Sequence, residues 1–247
     1  MNERWITAAQ GGLIGAAVAL AIVFGATAMG ILPVATDARL HDYLIAHPGL
    51  VYEMQAKAEL DQADAERSEE QAAVDKLGLK KLFDPAVAYV TGPANAKNTF
   101  VELFDYNCGH CRNTYPAVRA YYEAHKKDTR FAFINFPIFG EDSTNAARVS
   151  VASRLQGDRY LPLHFALMGQ GKVAIDQNIL IATAKSVGLD LNKLSADMYG
   201  KDTDKAIVGA LRLAREAKFR GTPVFIVNGK VHDGEITEAE IKKLTGG

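Results

Sequence analysis

From Gly11 to Val34 nearly every side chain is apolar or small, and no charged residue stands between Arg4 and Asp37. A helix needs about 20 apolar residues to cross a bilayer core, so this run is long enough to span one. It also fits a cleaved secretory signal, with Leu13 to Phe24 as the apolar region and Ala26-Thr27-Ala28 as the processing site. The run continues past that site and its leader sets Arg4 beside Glu3, which favours an uncleaved single-pass anchor. Gly and Ala dominate and no polar face exists, which weighs against a buried core helix. Residues 1–36 are thus an anchor or signal segment. The remainder is expected on the periplasmic side of an inner membrane, or free in the periplasm after cleavage.

From residue 37 to 83 the pattern turns helical. Leu40, Leu44, His47, Val51, Met54 and Ala58 form a heptad-like seam. Pro48 interrupts it, and Pro fits a helix only in its first turn, so one helix should end near Ala46 and a longer one start near Pro48. The seam either pairs with its copies in a homo-oligomer or lies against the body of its own chain. Residues 84–98, with Pro85, Gly92 and Pro93, read as a linker into a domain over 99–247.

That domain opens with a strand, Phe100 to Tyr106, whose Phe100, Val101, Leu103 and Phe104 imply burial on both faces. A helix to about Lys127 and a strand from Arg130 to Ile138 complete a βαβ unit, which requires a partly parallel sheet. Ser143 to Phe219 is helical in pieces, broken at Gly157, at Gly169 and Gly171, at Gly188 and at Gly200. Val224 to Val227 is a short buried strand, Asn228-Gly229 a hairpin turn, and Lys230-Val231 the start of the return. After Asp233-Gly234 turns the chain again, a last helix to about Leu244 should be capped by Thr237 and Glu240, with Ile241 and Leu244 inward.

The formal net charge of −1 gives no reason to expect a nucleic-acid partner. Its distribution is uneven: residues 37–76 carry ten acidic and four basic side chains, so the extension is acidic and the domain mildly basic.

The two cysteines, Cys108 and Cys111, have no partner in the chain except each other. They stand between a strand and a helix. A helix N-terminus presents unpaired N–H groups and partial positive charge, and both stabilise a thiolate. Cys108 is therefore assigned as the exposed nucleophile, and Cys111, one turn on, as the thiol that resolves the mixed disulfide. His110 adds an imidazole near the thiolate. Zinc would need four ligands, and the remaining histidines have no ligand spacing. Haem attachment would need His after Cys111, where Arg112 stands. A purely structural disulfide closing so short a loop would stabilise little. No cofactor or metal is expected. Pro116 falls inside the helix, where a kink is expected, and has no catalytic role. Thr222-Pro223 precedes the last buried strand; Pro223 either occupies a special turn with a cis peptide bond or starts the strand in trans.

Three stretches, Val101 to Cys111, Ser143 to Phe219 and Gly221-Thr222-Pro223-Val224-Phe225, make the chain resemble the thioredoxin superfamily and, within it, the DsbA-like periplasmic thiol–disulfide oxidoreductases. The resemblance runs from about Ala86 to Leu244. It implies a thioredoxin fold with a helical insertion, and a cis Pro223 facing the cysteines, with Thr222 and Pro223 offering backbone to an extended substrate. It also implies that Glu102 is a buried acid that moves the proton of Cys111. The helical extension resembles that of the copper-sensitivity suppressor branch, some members of which oligomerise and act as isomerases. The expected function is disulfide formation in cysteine-containing exported proteins, with a membrane redox partner resetting the pair. An oligomeric isomerase or reductase is the alternative in kind, and an envelope binding or scaffold module with structural cysteines is the alternative in class.

Overall fold

The structure, a computed structural model, describes residues 37–171 and 174–246. The expected membrane span lies outside these residues; among those described, no helix is long and apolar enough to cross a membrane. The chain divides into two units, residues 1–62 and 63–247.

In the first unit, α1 (Asp37–Ala46) and the start of α2 (Gly49–Leu77) are separated at His47-Pro48, as the sequence predicts. Pairs one turn apart, such as Gln55 with Glu59 at 3.0 Å, support the helix surface. Within this unit Leu40, Val51 and Met54 of the seam are exposed, Met54 by 65%, and Leu44 is half-buried.

The second unit begins within α2, whose last turns bury Val74, and continues into a short helix, α3 (Leu79–Leu82). Residues 84–98, expected as a linker, also build part of the sheet: Tyr89–Thr91 form strand β1. It pairs antiparallel with β3 (Thr129–Asn135). Three residues between a proline-containing turn and Gly92 are too few for a period-2 pattern to show, yet their backbone finds partners on the β3 edge. β2 (Asn98–Phe104) runs parallel to β3, joined to it by α4 (Gly109–His125). β4 (Val224–Val227) lies antiparallel on the other side of β2, and β5 (Lys230–Asp233) closes the sheet in the order β1-β3-β2-β4-β5. Asn228 and Gly229 have φ of 50° and 80°, the left-handed pair that a two-residue hairpin demands.

Alternation along the strands sorts the core. Phe100, Phe104, Phe131, Phe133 and Phe225 point to one face, towards α4 and the helical insertion. Val101, Leu103, Ala132, Ile134, Val224 and Ile226 point to the other, where Val74, Leu82, Phe83 and the last insertion helix meet them. Both faces are dry, which explains why β2 and β3 read as near-continuous apolar runs.

The insertion comprises α5 (Glu141–Ser153), a 3₁₀ turn (Arg154–Gln156), α6 (Tyr160–Met168), α7 (Gln177–Ser186), α8 (Leu191–Asp197) and α9 (Lys201–Glu216). The final helix, α10 (Glu238–Thr245), carries the expected capping box of Thr237 and Glu240. At the outer edge of β5, Gln71 of α2 donates to the Gly229 carbonyl and accepts from Val231 N–H, each at 2.9 Å. Lys218 with Glu69 at 3.0 Å, and Arg220 with Glu66, hold the same stretch of α2.

Candidate active site

The turn between β2 and α4 is built by two side chains. The buried carboxylate of Asp105 accepts from the N–H groups of Asn107 at 2.8 Å, Ile138 at 2.7 Å and Phe139 at 3.2 Å, tying this turn to the segment after β3. Asn107 makes a reciprocal pair with Ile175 of the insertion, accepting at 2.7 Å and donating at 3.2 Å. Cys108 follows as the N-cap of α4, with extended φ and ψ. Its N–H donates to the Asp105 carbonyl at 3.1 Å.

Both cysteines carry free thiols. The expectation of an exposed Cys108 is corrected: it is only 2% exposed, packed against the Thr222-Pro223 loop and Cys111. In the protonated form its Sγ donates to the Thr222 carbonyl at 3.2 Å. Ionisation draws on other donors, foremost the Cys111 thiol, then the Thr222 hydroxyl and the N–H groups of Cys111 and His110. These outweigh burial and bring Cys108 down to about 5 from 9.0. Cys111, fully buried, is driven far the other way by desolvation and by its neighbour's sulfur. One thiol is an anion at neutral pH and the other holds its proton. The peptide bond between Thr222 and Pro223 is cis.

Glu102 is an acid buried within the sheet. On β2 it shares a face with Phe100 and Phe104, and its register partners are Phe133 and Phe225. With 2% exposure and an Oε2 that has no hydrogen-bond partner, its carboxyl is pushed up to about 8 by desolvation. His110 is exposed and paired: Nδ1 lies 2.7 Å from Glu235 Oε1, which also accepts from Asn113 at 2.8 Å. Pro116 lies inside α4 without ending the helix.

The sequence places Cys108, Cys111, His110, Glu102, Thr222 and Pro223 in one neighbourhood by motif and resemblance, and Thr222 meets Cys108 in the structure. Asp105, Asn107, Asn113 and Glu235 were not singled out. Glu235 lies 125 residues from its partner, and no local pattern distinguishes it from a surface acid.

The profile of the DSBA-like thioredoxin domain matches residues 99–244. A thioredoxin-like oxidoreductase from Silicibacter pomeroyi is 33% identical, with a TM-score of 0.63 over 68% of this chain and 96% of its own. BcfH of Salmonella enterica Typhimurium is 26% identical, with a TM-score of 0.66 over 94% of this chain and 98% of its own. The catalytic domain of Proteus mirabilis ScsC, at 22% identity and a TM-score of 0.62, covers 71% of this chain and 96% of its own, and shares the fold. Among curated proteins, a Na(+)/H(+) antiporter NhaA from Herminiimonas arsenicoxydans is 28% identical over 67% of this chain. The chain spans about a quarter of the length of the curated relatives it matches, 26% for that one.

Proposed function

The chain belongs to the DSBA-like thioredoxin domain family, and on that premise we propose that its Cys108-Gly109-His110-Cys111 motif exchanges disulfides with exported proteins on the periplasmic side of the membrane. The observation that carries this reading is the asymmetry of the pair: a low-pKa sulfur at the N-cap of α4, and behind it a buried thiol that keeps its proton.

In the oxidising direction, a substrate thiolate attacks Cys108 Sγ and the Cys108–Cys111 bond breaks, leaving its electron pair on Cys111. Cys111 takes up a proton, for which Glu102, held neutral up to about pH 8 by its burial, is the proposed donor. The substrate's second thiolate then attacks its own sulfur in the mixed disulfide, and Cys108 leaves as a stable thiolate. Substrate loses two electrons and the pair gains them; a membrane redox partner would restore the disulfide. Thr222 and Pro223 would bind the substrate backbone beside Cys108.

Trapping tests this. Cys111→Ser should accumulate mixed disulfides between Cys108 and exported client proteins, while Cys108→Ser should abolish both adducts and turnover. If Cys108→Ser keeps full function, the cysteines are structural and a binding module is the correct reading. A second reading, an oligomeric isomerase, is favoured by the exposed apolar seam of residues 37–62. A reduction potential measured against glutathione, paired with refolding of scrambled disulfides, separates the two. High potential without refolding marks an oxidase, and refolding by an oligomer marks an isomerase.

A further inference from the structure

His110 is held by a side chain that comes from the far end of the fold. Glu235 stands in the segment between β5 and α10, and that segment is pinned from several sides. Gly234 N–H donates to the Pro223 carbonyl at 3.0 Å, so the segment is bonded to the loop that also supplies the Thr222 carbonyl to Cys108. The Glu235 carbonyl accepts from His232 Nε2 at 2.8 Å, and the next residue, Ile236, is buried. From this fixed backbone the carboxylate reaches across to α4, where Oε1 meets His110 Nδ1 at 2.7 Å and Asn113 Nδ2 at 2.8 Å. Asn113 leaves the carboxylate little choice of position.

We propose that Glu235 is a positioning residue for the exchange reaction: it fixes the His110 imidazole beside Cys108 and sets how much of that ring's charge supports the thiolate. This inference rests on the thiol–disulfide reading above.

The geometry gives Glu235 two opposed effects. It keeps the proton on His110 to higher pH, since a hydrogen-bonded carboxylate favours the imidazolium. It also places a negative charge against that imidazolium, so less positive potential reaches Cys108. The groups facing His110 are Cys108 at the start of its own helix and Glu235 from the β5–α10 segment; His232 of β5 bonds only the Glu235 backbone. Below the His110 titration the ring is charged with or without Glu235, and only the second effect remains. Through the titration, loss of Glu235 also costs the proton. Removing the carboxylate should therefore make the enzyme more oxidising in acid and progressively less so towards alkaline pH.

The test is the equilibrium with glutathione across about pH 5.5 to 8, for the wild type, Glu235→Gln, His110→Ala and the double variant. At the acidic end Glu235→Gln should shift the equilibrium towards reduced enzyme by about two- to five-fold, the range of exposed ion pairs. That excess should shrink as pH rises, and in the His110→Ala background the Glu235 substitution should change the equilibrium by less than about two-fold. A shift that persists without His110, or a pH profile parallel to the wild type, overturns the proposal and shows that Glu235 only braces the loop. A wild type that never equilibrates with glutathione sinks the functional reading itself, a distinct result.

Discussion

Glu102 and Cys108 titrate in overlapping windows with opposite consequences for the reduced protein. Burial lifts Glu102 from 4.5 to about 8, so the folded state holds a proton that the unfolded chain has released. Its contribution is complete below 4.5 and is lost as pH rises towards 8, at about 1.4 kcal/mol per pH unit. Cys108 falls from 9.0 to about 5, so there the unfolded chain holds the extra proton and stability grows by a similar slope as pH rises from 5 to 9. Between pH 7 and 8 these two slopes oppose each other directly, and the tail of Glu70, raised to about 7, adds a smaller fall common to all variants. Denaturant unfolding of the reduced wild type should be nearly flat across that interval. Glu102→Gln should turn it into a rise of about 1 kcal/mol, and Cys108→Ala into a comparable fall. Parallel profiles in all three would show that the two groups do not titrate as their surroundings imply. Cys108 was legible from its motif alone. The burial of Glu102 was legible only from a resemblance, because an acid among apolar neighbours in a strand looks the same whether it faces solvent or core.

At the scale of elements, α2 serves two environments along one helix. Its early turns carry exposed residues of the seam, while Val74, with Leu82 and Phe83 just beyond, fills the face of the sheet opposite the cysteines. Val74→Ala should cost about 2 kcal/mol of unfolding free energy, the range for withdrawing a fully buried Val side chain. A chain starting at residue 63 should keep the melting temperature that one starting at 78 loses. Helix boundaries near Ala46 and Pro48, the insertion's glycine breaks, the Asn228-Gly229 turn and the cap at Thr237 were all written in local chemistry, and the elements follow it. β1 was not, since its pairing depends on a neighbour some 40 residues along the chain and not on its own period. The double role of α2 was equally hidden: Gln71 and Val74 sit where the seam fades into Ala, Gln and acidic residues, and only the sheet they meet gives them meaning.

For the whole molecule, seven large apolar residues between Leu40 and Leu60 are exposed. Exposed apolar residues on two successive helices support the oligomeric reading proposed above. Sedimentation of residues 37–247 should reveal an oligomer, and the paired change Val51→Glu with Met54→Glu should return it to a monomer with little loss of melting temperature. A wild type that sediments as a monomer at all concentrations would remove the support for an isomerase. The site itself shows the limit of reading along a chain: Cys108 meets Thr222, and His110 meets Glu235, only because β2 lies beside β4. Gln71 carries a further implication if, as proposed, the clients are exported polypeptides. A sheet margin with free amides and carbonyls would zip to any extended chain drawn to the cysteines, and product would stay bound as an added strand. By filling the Gly229 carbonyl and the Val231 amide, one glutamine takes two such groups at the β5 edge out of reach of a passing chain.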